Sequence, residues 1–175
     1  MKHTYPVKQL TFMKVLGIFI GHYKTVIIML VLFTLLPLLV ATNWAMISYI
    51  IQFHVILFGG LFISFVIHEY LHIRFLRNAR RDGHVEIEFT LTRISIYPKF
   101  ELTPREIVRV AIIPIIILPI IGLALILLAQ FIHQRFLMFT GYVYVFHVIN
   151  IIPPLGDGMM IIKAILNKKS SMGGG

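Results

Sequence analysis

Of the 175 residues, 58% are hydrophobic and only 13% charged, and the mean hydropathy is +0.90; soluble globular domains average about 45–50% apolar and about 25% charged residues, so the composition is that of a polytopic membrane protein. The net charge of +9 does not mark a nucleic-acid binder, because no basic run is interleaved with aromatic residues and the Lys and Arg residues instead flank apolar runs. With no cysteine, the chain has no disulfide, no thiolate metal site and no cysteine nucleophile, and at this length one domain is expected.

The first segment, about residues 1–24, contains the short apolar stretch LTFMKVLGIFIGHYK, interrupted by Lys14. It lacks a small-residue cleavage site and is shorter than the roughly 20 apolar residues of a span, so an interfacial helix is expected. Residues 25–67 carry no Asp, Glu, Lys or Arg, too long a run for one crossing. The turn is expected at ATNWAM (41–46), giving spans over about 25–42 and 46–76. A polar segment, 77–106, follows. In it Val85, Ile87, Phe89 and Leu91 alternate with Glu86, Glu88, Thr90 and Thr92, the period of a half-buried strand. A phase change at Ile94 and Ile96 predicts a turn near Thr92 and Arg93. LTPRE (102–106) has the form of a helix start, with Thr103 as N-cap, Pro104 in the first turn and Glu106 at the third position. Spans three and four are expected over 107–131, bent by Pro114 and Pro119, and over 136–166, with a short turn at HQR (133–135) between them. The fold class is therefore an all-α membrane protein of about four transmembrane helices with a short membrane-associated β segment. Lys and Arg cluster in the N-terminal segment, the middle segment and the tail, which predicts that both termini and residues 77–106 are cytoplasmic.

Five of the seven acidic residues lie in the polar segment; the other two, Glu69 and Asp157, fall inside expected spans two and four. An ionisable residue at membrane depth marks a functional site with a partner to be named. Glu69 sits in His68-Glu69-x-x-His72, where histidines at i and i+4 stand on one helix face and can share a zinc ion. The glutamate beside them is placed to act as a base toward water. The third ligand is sought by elimination, with Asp157 the best candidate: the metzincin extension would need glycine at 75 and histidine at 78, but Phe75 and Asn78 stand there. Asp157 remains, and it lies six residues before Lys163 as His72 lies five before Arg77, a matching depth of roughly 7–9 Å. NIIPPLGDG (150–158) should break span four just before the acid, lining a protein cavity with irregular backbone. His54, fourteen residues before His68, falls near the same face but about 21 Å along the helix, too far to ligate, and is expected to pack. His147 is expected to make a hydrogen-bonded helix contact.

With Asn150-x-x-Pro153 followed by Asp157-Gly158 in a later span, these residues resemble the site-2 protease family of intramembrane zinc metalloproteases. The short form, with YPKFELTPREI leading into a proline-bearing third span, looks most like compact bacterial zincin-type membrane peptidases. The resemblance implies one zinc ion held by His68, His72 and Asp157, Glu69 as general base, and Asn150 as a polar group facing the cleft, against substrate. The chain departs from the family pattern in having three residues rather than four between Pro153 and Asp157, and Gly156 where a leucine is common.

The expected function is hydrolysis of a peptide bond in or beside a membrane segment of a protein or hydrophobic peptide, in a bacterial cytoplasmic membrane. The competing expectation is a non-catalytic metal-binding membrane module, an immunity or regulatory factor that sequesters a hydrophobic peptide. Nothing in the sequence specifies an oligomeric state.

Overall fold

The computed structural model describes residues 2–40, 42–80, 82–90, 94–153 and 156–172, with side chains as far as residue 166. Strand β1 (Lys2–Pro6) leads into helix α1 (Phe12–Leu35), continued by a 3-10 turn over Leu36–Leu39. Helix α2 (Trp44–His54) passes through a π-helical segment (Val55–Phe62) into α3 (Ile63–Ala79) without a break. Strands β2 (His84–Phe89) and β3 (Ile94–Pro98) precede α4 (Pro104–Phe131) and α5 (Arg135–Phe146). A 3-10 turn over His147–Ile151 and then α6 (Gly156–Met172) follow. Among the described residues, four helical stretches, Phe12–Leu39, Trp44–Ala79, Pro104–Phe131 and Arg135–Leu166, are long and apolar enough to cross a membrane.

The N-terminal segment differs from its sequence reading. Residues 12–24 are not a separate helix: they run straight into 25–35 within α1, because Lys14 and Lys24 interrupt the hydropathy but not the helical backbone. Thr11 caps the start, its hydroxyl accepting from the Lys14 amide. Beyond Phe19, α1 faces outward through Val26, Ile28, Met29, Leu32 and Phe33. Such a surface suits lipid rather than water.

The three strands form one antiparallel sheet in the order β1-β2-β3. Thr4 faces Glu86, and Ile87 faces Ile96 across the other ladder. The alternation expected over residues 85–89 is present: Val85, Ile87 and Phe89 are buried. Glu86 on the other face meets Lys2 at 3.1 Å and also pairs with Lys99. Leu91, Thr92 and Arg93, where the turn was expected, lie outside the described residues. The apolar face of the sheet covers a core of Val7, Leu10, Val15, Val66, Ile73, Leu76 and Val110. That core joins the starts of α1 and α4 to α3 and fixes the end of the helix array where the histidines lie.

Two local devices orient the site. Thr103 and Glu106 form the expected capping box, with Glu106 Oε2 accepting from the Thr103 amide at 2.8 Å, which sets where α4 begins. The π segment adds residues to each turn through i→i+5 bonding. Consequently the fourteen-residue spacing does not superpose His54 on His68. His54 instead bonds the Ile50 carbonyl at 2.7 Å and Thr34 of α1 at 3.0 Å, beside an open apolar cavity of about 550 Å³. Tyr144 of α5 donates to the Gly59 carbonyl at 3.0 Å, tying the π segment to its neighbour.

Candidate metal centre

His68 and His72 lie on the inner face of α3, 5% and 7% exposed, and Asp157, in the first turn of α6, is 5% exposed. Three features bear on where the aspartate sits. The backbone leaves the 3-10 turn at Ile152 in an extended conformation. Gly158 lies so close to the Ile151 carbonyl that a Cβ would overlap it. A carboxylate in the first turn also faces the positive end of the helix dipole. The shortened spacing from Pro153 thus still delivers Asp157 to the histidines.

The donor atoms converge. His68 Nε2 and His72 Nε2 are 3.2 Å apart; Asp157 Oδ2 is 3.2 Å from the first and Oδ1 3.2 Å from the second. Ligands about 2.0–2.1 Å from a tetrahedral zinc stand about 3.3–3.4 Å from one another; each pair of groups here approaches to that order, and one donor atom from each residue lies within 4.8 Å of the other two. Asp157 Oδ2 is buried and makes no hydrogen bond among the described residues despite the nearby imidazole. A lone pair aimed into the centre is what a metal ligand requires.

The tautomer of His72 is set from outside the centre. Its Nδ1 lies 3.0 Å from the Val110 carbonyl of α4, which can only accept, so Nδ1 carries the proton and Nε2 presents a lone pair. His68 is held differently. Its ring stacks on His147, centroids 5.2 Å apart at 26°, and stands edge-on to His72 at 4.8 Å. His147 is anchored in turn by Ser64, whose hydroxyl donates to the Leu61 carbonyl at 2.9 Å and accepts from His147 Nε2 at 3.0 Å.

The hydrogen-bonded helix contact expected of His147 is present, but its stacking on His68 was not foreseen. The available signal was the spacing to Asn150: in a 3-10 turn residues i and i+3 eclipse, so Asn150 shares the face of His147. Glu69, half-buried on α3, is close enough for its charge to act on His72 and on Tyr23 of α1.

A family model described as "Putative zincin peptidase" matches residues 61–172, which include every one of these side chains except Tyr23. The chain belongs to that family. Membership assigns it to the zinc peptidases, and the convergent His68, His72 and Asp157 agree with that metal. Comparison with curated proteins and with solved structures gives no match to this chain.

Proposed function

We propose that this zincin is an intramembrane metalloprotease of the site-2 protease type, with one zinc ion per chain held by His68, His72 and Asp157. The observation that carries the reading is the meeting of three buried donors, within 4.8 Å of one another, on helices long and apolar enough to cross a membrane. Zinc, when bound, supplies a Lewis acid that activates water and polarises the carbonyl under attack. Glu69 accepts the proton from the attacking water at a carboxylate oxygen and delivers it to the leaving amine. Asn150 faces the cleft beside His147 and holds the substrate backbone.

The substrate is a membrane protein segment or a hydrophobic peptide lying in the bilayer. A helical segment hides its carbonyls in its own hydrogen bonds and must unwind before attack. The sheet offers a place for the unwound chain, but not along β2, which is paired on both sides. The edge of β3 is the docking strand in this reading. Four crossings return the chain to the side where it started; in this reading that side is the cytoplasm, which the charge pattern supports, and the membrane is a bacterial cytoplasmic one.

The test is cleavage of hydrophobic membrane-segment peptides by the protein in lipid vesicles, comparing wild type with Glu69→Gln. The variant should keep zinc and lose roughly 10²–10⁴-fold in rate, because the ligands remain and the base does not. An equally active Glu69→Gln would remove the mechanism. A zinc-loaded wild type that cleaves no such peptide would favour a non-catalytic metal-binding module.

A further inference from the structure

Proline inside a helix lacks the amide that would bond the carbonyl four residues earlier, and its ring crowds that carbonyl away from the helix axis. In α4 one such pair is Pro114 and Val110. Both are buried in the protein, where an unpartnered carbonyl is unfavourable. The Val110 carbonyl has a partner, and it comes from another helix: His72 Nδ1, at 3.0 Å. The same bond fixes which nitrogen of His72 faces His68 and Asp157.

We propose that Pro114 is a positioning residue for the metal centre. By withholding its amide it keeps the Val110 carbonyl free of α4, and that carbonyl holds His72 in the tautomer and ring orientation that direct Nε2 to the centre. The inference rests on the zinc reading of His68, His72 and Asp157. It assigns a share in metal affinity to a proline within α4 that supplies no donor atom to the centre. An alanine at 114 restores the amide, and the Val110 carbonyl then bonds within α4 in competition with His72. The second proline of α4, Pro119, releases the Ile115 carbonyl instead and serves as the control.

The experiment measures Zn²⁺ affinity of the full chain in detergent by competition with a chromophoric chelator, for wild type, Pro114→Ala and Pro119→Ala. The visible spectrum of each Co²⁺-loaded protein and the thermal midpoint of each metal-free protein are recorded alongside. Pro114→Ala should bind Zn²⁺ about 10–100-fold more weakly, as loss of a ligand's outer partner does, and its Co²⁺ spectrum should shift. Its metal-free midpoint shows whether the protein stays folded, since the regained helix bond and the lost His72 bond act on it in opposite directions. Pro119→Ala should bind as wild type does. Wild-type affinity and an unshifted spectrum in Pro114→Ala would overturn the proposal, as would equal losses in both variants. Should Pro114→Ala fail to fold, long-range ¹⁵N spectra of the zinc-loaded wild type decide. A proton on His72 Nδ1 supports the proposal, and one on Nε2 overturns it. A wild type that binds no metal through these histidines would overturn the zinc reading itself.

Discussion

Gly158 packs against the Ile151 carbonyl with no room for a side chain, and this contact seats Asp157 opposite the two histidines. The glycine is needed for close approach rather than for an unusual backbone angle. Gly158→Ala should therefore push the start of α6 away from the 3-10 turn. We expect weaker zinc binding, on the order of tenfold or more, with little change in helix content by circular dichroism. Unchanged metal affinity would show that Asp157 is placed by some other contact.

Ser64 and His147 should matter although neither is one of the three converging donors. Ser64→Ala leaves His147 Nε2–H buried without its acceptor, at a cost of about 1–3 kcal/mol, and loosens the ring that stacks on His68. The expected outcome is a lower thermal midpoint with some loss of zinc affinity. Ser64→Thr, which keeps the hydroxyl, should recover most of both.

The sheet should respond to acid in one direction only. Hydrogen bonds from Lys99 and then Lys2 hold the Glu86 carboxyl below its ordinary range. A folded value below the unfolded one stabilises fully above the unfolded value, about 4.3, and is lost as pH falls through the folded value. Amide protection factors in β1 should therefore stay level from pH 8 to pH 5 and decline below about 4. In Glu86→Gln the decline should be absent and the protection lower throughout.

Because the chain has no cysteine, single introduced thiols can report its topology. Thr4 is exposed on β1, and Trp44, 80% exposed, begins α2 after the first apolar helix. Thr4→Cys should react with a membrane-impermeant thiol reagent from the cytoplasmic face and Trp44→Cys from the opposite face. Labelling of both from one side would mean that the first helix does not cross.

The parts legible in the sequence are those written in short spacings. His68 and His72 one turn apart, the Thr103 capping box and the alternation over Val85, Ile87 and Phe89 all appear where local periodicity placed them. Asp157 was reached by comparing depth along two helices, and it does meet the histidines. The unread parts depend on partners distant in the chain or on irregular turns. Strand β1 pairs with residues some 80 positions away and carries no alternation of its own. The π segment, whose extra residues per turn rotate His54 away from His68, has no period that distinguishes it from an α-helix. Val110 contributes through its carbonyl, which side-chain patterns cannot reveal; the only trace is a proline four residues later.

The central claim is that α3 and α6 share one zinc ion. Metal analysis of purified wild type beside Asp157→Ala and a His68→Ala/His72→Ala double variant tests it most directly. The account predicts about one zinc per chain in wild type and loss of that zinc in both variants, all three retaining their helical content. Equal zinc in the wild type and the double variant would contradict it.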